Sequence, residues 1–335
     1  MPKSSLSAAL AACLGAAALS AVAFCACSSD GGTAATTGAD AGKEAAAVGT
    51  GDPKILVGTF ALKADPQNGS TAASASIVGK IYDGPTPSDL VWLTAATEGA
   101  CTLLTPKVPF CSTPCGSSKA CVDDEKCQAY PTAHGAGSVK ATGIKTAAGG
   151  AEITMSPVAN TYQAPAGTAL AFPPFAEGDE VKLDAAGDYF QAFSVSSKGI
   201  APIALTSTDL KLDGTKPLAL RWTAGKAGLA KILVKLDISH HGGTKGKIEC
   251  EADDSGSLDV AAPLVDKLIK LGVAGFPTVV VTRQAVGSAV IAQGRVDLKI
   301  TSTIETAVTI DGLQSCTDTT QCPQGKTCAA DLTCK

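Results

Sequence analysis

Aromatic side chains are scarce in this chain of 335 residues, at 4% of the total. Any core must therefore be built mainly from Val, Ile, Leu and Ala, and alanine accounts for much of the 45% hydrophobic content. Histidine is scarcer still, with 3 residues, so few side chains suit acid–base work near neutral pH. No strong basic run occurs and the net charge is −4, which argues against nucleic acid as a partner. No Gly-x-Ser-x-Gly elbow joins a strand to a helix, and no Ser-Lys arrangement forms a recognisable motif. What the chain has in abundance is cysteine, 13 in all.

Eight of those cysteines fall into two copies of one short module. Cys115, Cys121 and Cys127 superpose on Cys322, Cys328 and Cys334 with both five-residue gaps kept. Lys119 then matches Lys326, and Asp124 matches Asp331. Only the first gap differs, three residues after Cys111 and five after Cys316.

The N-terminus accounts for the cysteine content. Lys3 precedes Leu6–Phe24, an almost wholly apolar or small run, and small polar residues follow at once, as in an export signal. Cys25-Ala26-Cys27-Ser28 resembles a bacterial lipoprotein signal, with Ala26 directly before the cysteine to be acylated. Cys27 is the favoured attachment point. Leu10-Ala-Ala-Cys13 leaves too short an apolar run ahead of it, and Cys25 would put Phe24 at the cleavage point. Residues 1–26 are therefore expected to be the signal. Residues 27–53 are Gly/Ala/Thr/Ser/Asp-rich and expected to be a flexible tether. Ser28 rather than Asp follows Cys27, so resemblance to lipoprotein sorting implies the outer membrane or cell surface.

Setting aside Cys13, Cys25 and Cys27 leaves ten of the 13 cysteines, an even number that in an exported protein reads as disulfides. Closing each module on itself with two bridges uses eight and leaves Cys101 and Cys250, which are expected to pair across the two halves. Pairing inside each module is not legible in the spacing. Resemblance to small knotted cysteine modules implies Cys111 with Cys121, Cys115 with Cys127, Cys316 with Cys328 and Cys322 with Cys334. Zinc is the rival, but zinc knuckles favour gaps of two to four residues and five-residue gaps dominate here.

The body of the chain reads as β. Strand candidates are 55–62, 74–82, 90–93, 138–144 and 152–155, then 180–183, 190–195, 203–205, 218–222, 231–238, 247–251, 278–282 and 295–302. Pro165, Pro173 and Pro174 punctuate the passage between the two groups. The expected architecture is mostly β: two antiparallel β-sandwich or barrel-like domains, 54–160 with module 111–127 inserted, and 161–312. A C-terminal module, 313–335, follows. One helix is expected over 263–271, opened by Pro263, striped by Leu264, Leu268 and Leu271, and capped from the region of Asp259.

Three groups have the residue types for chemistry. His240-His241 lies in a Gly-flanked loop with Glu249, Glu251, Asp253 and Asp254 downstream, a solvated hairpin loop first and a divalent-metal site second. Asp253-Asp-Ser-Gly-Ser257 has a calcium-loop flavour but lacks the spaced ligands and the terminal Glu, so a turn is expected. His134 sits in a loop beside the first module with no nucleophile motif. Trp92 and Trp222 read as core residues before they read as a stacking platform for sugars.

Pro109-Phe-Cys111-x3-Cys115, Cys121 and Cys127 with Tyr130-Pro131, together with the stretch from Leu220-Arg-Trp222 to Cys250, resemble a group of lipoproteins encoded by myxobacteria. The resemblance spans most of the chain after Val57 and carries no activity with it. The functional expectation is a surface-tethered, non-catalytic binding or structural module of the cell envelope. Its partners would be the membrane, through the anchor, and a protein or carbohydrate ligand. No catalytic residues and no cofactor are assigned. The alternatives are a secreted hydrolase, or metal binding at His240 and His241.

Overall fold

The computed structural model describes residues 49–335 except Asp89. The expected signal, Cys27 and the tether up to residue 48 lie outside the described residues.

Two hairpins come first, β1 (Leu56–Asp65) with β2 (Ser74–Ile81), and β3 (Val91–Glu98) with β4 (Cys101–Lys107). β5 (Lys119–Asp123) and β6 (Lys126–Ala129) form the hairpin of the first cysteine module. β7 (Val139–Thr142), β8 (Glu152–Met155), β9 (Thr161–Gln163), β10 (Glu180–Ala185) and β11 (Phe193–Lys198) follow. Next come β12 (Lys211–Leu212), β13 (Leu218–Arg221), β14 (Lys231–Asp237), β15 (Lys247–Asp253) and β16 (Ser257–Val260). Helix α1 (Ala262–Lys270) leads to the longest strands, β17 (Thr278–Ile291) and β18 (Gly294–Ala307), and then to β19 (Thr309–Ile310).

Nine strands make one sheet in the order β3-β4-β15-β14-β17-β18-β1-β2-β9, and a second sheet runs β11-β10-β7-β8. The expected antiparallel fold is corrected at two places, one of them the short β12–β19 pair, which is parallel. β1 pairs with β18 in parallel, so the large sheet is mixed. Nor does the chain divide at residue 160, because strands from both sides of it share that sheet. β17 and β18 each run 14 residues, roughly 46 Å at strand rise, long enough to pass under two cores.

Those two cores lie against the large sheet. The first gathers Phe60, Leu62, Ile77, Tyr162, Leu183, Val195, Ala285 and Ile300. The second gathers Leu103, Leu220, Trp222, Val234, Leu236, Ile248, Val281 and the α1 residues Leu264, Val265 and Leu268. Gly287 permits the close approach of the two sheets, since a methyl group there would collide with the Ser196 carbonyl of β11. Gly79 does the same for Phe60, its cross-strand neighbour, whose ring lies over it.

A polar seam separates the cores. Arg283 lies on the core-facing side of β17 between Val281 and Ala285. All its N–H groups are used. Nε donates to Asp254 Oδ2 at 2.6 Å, and Nη2 donates to Asp254 Oδ1 and the Thr223 carbonyl at 3.1 and 2.6 Å. Nη1 donates to the carbonyls of Ala201 and Pro202 at 3.0 and 3.1 Å, where the chain crosses from Ile200 in one core to Ile203 in the other. Trp222 Nε1 and the Gly225 N–H complete the Asp254 carboxylate at 2.7 and 3.1 Å. Ser302 of β18 accepts the Ile203 N–H at 3.0 Å in the same seam.

Local expectations shift accordingly. β17 runs on past Thr282 because Arg283 is paired inside. Residues 203–205 contribute only an isolated bridge from Leu205 to Trp222. In α1 the buried stripe is Leu264, Val265 and Leu268, while Leu271 is the half-exposed C-cap. Asp259 does not cap the helix; it pairs with Arg221 at 2.6 Å.

Candidate functional site

With both cores on one side of the large sheet, its other face carries the remaining alternate side chains. Along β14, Ile232, Val234 and Leu236 point inward, so Lys231, Leu233, Lys235 and Asp237 point outward. Register places Lys235 between Glu249 of β15 and Val280 of β17, and Leu233 between Glu251 and Thr282. On the far side, Thr102 of β4 lies opposite Glu249, and Leu104 opposite Lys247. The result is a shallow groove of about 550 Å³ across β4, β15, β14 and β17, lined by Thr102, Leu104, Leu233, Lys235, Glu249 and Val280 among others. A second depression shares Leu233 and Glu251 with it and continues to Gln284 and Val286.

Paired charges border the groove. Lys247 Nζ is 2.6 Å from Glu249 Oε1 and 3.9 Å from the centre of the Trp92 ring, with little of its side chain exposed. An ammonium over an indole face contributes about 0.5–2 kcal/mol according to its desolvation. Lys231 reaches Asp253 at 2.6 Å and, by that hydrogen bond, holds the Asp253 carboxyl below the ordinary carboxylate value. The floor is thus Leu, Val and Thr; Lys247–Glu249 and Lys231–Asp253 are paired at the rim, and Lys235 and Glu251, of opposite sign, line the groove without an ion pair among the described residues. That surface has apolar contact area and hydrogen-bonding edges but little net field.

The residues singled out from sequence do not converge. Trp222 is 4% exposed and bonded to Asp254, so it cannot stack on a ligand, whereas Trp92 is half-buried at the groove's rim. Asp253 and Asp254 part at the β15–β16 turn, one to Lys231 at the surface and one to the buried Arg283. His240 and His241 are neighbours with ring centres 3.9 Å apart, and His240 Nε2 is 3.8 Å from Glu305 Oε1. Among the described residues, no third His, Cys, Asp or Glu closes a metal-sized cluster with that pair. His134 stacks on Tyr189 at 3.7 Å and faces Asp83 at 3.4 Å. None of the three histidine side chains hydrogen-bonds a hydroxyl or thiol among the described residues.

The cysteines do converge. Cys101 and Cys250 are bonded, directly opposite one another on β4 and β15. Both modules pair first with third and second with fourth: Cys111–Cys121 and Cys115–Cys127, Cys316–Cys328 and Cys322–Cys334. The sulfurs crowd closely enough for metal ligation, yet each is spent in a disulfide and offers no thiolate. The modules share backbone as well as spacing. Glu125 and Leu332, each just after the matched Asp124 and Asp331, have φ of 58° and 60°. Lys107 hydrogen-bonds Asp124 and Lys335 hydrogen-bonds Asp331, lowering both carboxyl pKa values; the matched Lys119 and Lys326 are not those partners. The second module is fastened to the body where the Asp331 backbone carbonyl accepts the Gly275 N–H at 2.7 Å and the Ser315 hydroxyl donates to the Gly275 carbonyl at 2.6 Å.

Five disulfides among the described residues indicate an extracellular or otherwise oxidising location. No helix among those residues is long and apolar enough to cross a membrane. Sequence reasoning missed Arg283 and the open sheet face. The signal for Arg283 was available: it stands at the core-facing parity of an alternating strand, where only a paired charge is tolerated. A scan against models of known families found no match, and a search of curated proteins found none either.

Proposed function

We propose that this chain is a non-catalytic binding module of the cell envelope, tethered through a lipid on Cys27 and presenting the open face of its large sheet to a protein or carbohydrate ligand. The observation that carries the reading is the groove across β4, β15, β14 and β17, apolar along its floor and edged by Trp92, Lys247 and Glu249. A half-buried indole beside threonines and carboxylates suits the apolar faces and hydroxyls of a sugar chain, or an amphipathic peptide. The export signal, the Cys27 motif and the disulfides support the envelope location, and the outer membrane is the expected site. Likeness to myxobacterial lipoproteins fits the same picture.

The test uses the chain from Ser28 to Lys335, made through an oxidising export route with its disulfides intact. Titration with chitohexaose and cellohexaose, followed by Trp92 fluorescence, and cross-linking to envelope proteins should each reveal a complex that Thr282→Arg abolishes. A complex indifferent to Thr282→Arg would refute the groove as the site. Turnover of peptidase, esterase or glycosidase substrates that disappears in His240→Ala or His241→Ala would replace this reading with the hydrolase. Stoichiometric Zn²⁺ binding at micromolar metal would instead favour the metal alternative.

A further inference from the structure

The outer face of the large sheet changes character towards β2. There Lys299 of β18 lies opposite Ala61 of β1, which lies opposite Val78 of β2, while Val286 of β17 lies opposite Lys299. One step along the same face, Thr59 lies opposite Lys80; one step the other way, Lys63 lies opposite Thr301. Three lysines therefore flank Ala61 on neighbouring rows, the Lys80 ammonium lying 5.5 Å from the centre of the Tyr82 ring. None of Lys63, Lys80 and Lys299 forms an ion pair among the described residues, unlike Lys231 and Lys247 in the groove. Two carboxylates share these rows, and only Asp297 is ion-paired among the described residues. Asp297 is buried and held by Arg295 and Ser288, and Asp65 accepts the Thr303 N–H at 2.8 Å. Val78 and Val286, each 48% exposed, add apolar surface among the lysines. A cleft of about 500 Å³ opens beside them, lined by Lys54, Thr59, Lys80, Tyr82, Pro85 and Thr86 among others.

This basic face lies beside the point where the N-terminal segment joins the body. The Gly49 N–H donates to the Val290 carbonyl of β17 at 3.2 Å. Val290 is four residues from Val286 on the same side of that strand, about 13 Å along it. Only 21 residues separate Cys27 from Gly49, so a lipid on Cys27 would keep this end of the sheet within reach of the bilayer.

We propose that the outer face of β18, β1 and β2 docks on an anionic lipid surface through Lys63, Lys80 and Lys299, with Val78 and Val286 meeting the headgroup layer. The proposal rests on the tethered reading above and assigns the two halves of the open face different partners, lipid here and ligand in the β4–β17 groove. Each lysine brought to a negatively charged bilayer strengthens binding about fivefold, and three together on the order of a hundredfold. Salt should weaken the contact, since the Debye length is only about 10 Å at 0.1 M ionic strength.

Co-sedimentation of the lipid-free Ser28–Lys335 chain with phosphatidylcholine vesicles, with and without phosphatidylglycerol, tests the docking. Binding is expected only with phosphatidylglycerol, should fall as NaCl is raised, and should drop about a hundredfold in K63Q/K80Q/K299Q. Lys216→Gln, on an exposed loop away from this face, should bind as the parent does. Equal thermal melting of parent and triple variant confirms that only the surface changed. Equal vesicle binding by the triple variant, or no phosphatidylglycerol dependence in the parent, overturns the proposal. Binding to soluble polygalacturonate without binding to vesicles also overturns it, in favour of an anionic glycan. Because the chain carries no lipid here, the outcome is separable from the anchor, which fatty-acid labelling of the exported full chain tests by itself, and from the groove, which Thr282→Arg tests.

Discussion

Replacing Arg283 by Met removes the guanidinium from the seam and leaves its partners in place. Asp254 keeps the Trp222 indole and the Gly225 N–H but loses the cation it pairs with, and the carbonyls of Ala201, Pro202 and Thr223 lose their donor. Both side chains of the pair are 2% exposed, so water does not replace the lost bonds. Breaking a buried pair on one side costs about 3–5 kcal/mol. The methionine recovers some apolar contact, which puts Arg283→Met towards the lower end. The assay is equilibrium denaturation with disulfides intact in a Trp92→Phe background, so that Trp222 alone reports. The transition should move to lower denaturant with an unchanged slope, and Trp222 emission should shift as its partner Asp254 relaxes. Pairing Arg283→Met with Asp254→Asn should cost less than the two single changes added, with a coupling of about 0.5–3 kcal/mol. A loss below about 1 kcal/mol for Arg283→Met, or an unmoved Trp222 spectrum, would refute the claim that this network joins the two cores.

Other consequences are equally direct. Removing the Cys101–Cys250 bond, which closes 149 residues, with Cys101→Ala/Cys250→Ala should cost about 2–5 kcal/mol in thermal or chemical unfolding and loosen the β3–β4 hairpin in hydrogen exchange. Gly287→Val should destabilise by at least about 1–3 kcal/mol, because its side chain meets the β11 backbone at Ser196, while Gly84→Ala, whose methyl group would meet only Pro131 at an ordinary 3.8 Å, should change little. Burial holds the Tyr162 hydroxyl above its ordinary pKa of 10.0, aided by Asp188 and opposed by the Ala136 N–H. A raised folded value means its stabilisation is complete below the unfolded value and is lost as pH climbs through the folded one. Unfolding free energy should therefore decline at alkaline pH above about 10, and more gently in Tyr162→Phe. At neutral pH that variant should lose about 1–3 kcal/mol, since the Ala136 N–H and Gly137 carbonyl are left without their partner.

The amino-acid sequence alone determined those features that depend on counting and period. Ten cysteines in two spaced quartets and a remaining pair specify a disulfide framework, because thiols in an oxidising location pair and each short module closes most readily on itself. Alternation in Lys231–Ile238, and proline then glycine around Leu264–Leu271, marked a strand and a helix by local rules that tertiary contacts did not override. The tertiary structure decided what depends on partners distant in the chain. The parallel pairing of β1 with β18 spans more than two hundred residues, and no local pattern says which edge a strand will find. Nor does alternation say which of two half-polar faces is covered, so the groove of Leu233, Val280 and Lys235 emerged only when both cores packed on the other side. Arg283 shows why. A charge in a strand reads locally as an interruption, and it becomes interior only when Asp254, itself held by Trp222, and the carbonyls of Ala201, Pro202 and Thr223 meet it together.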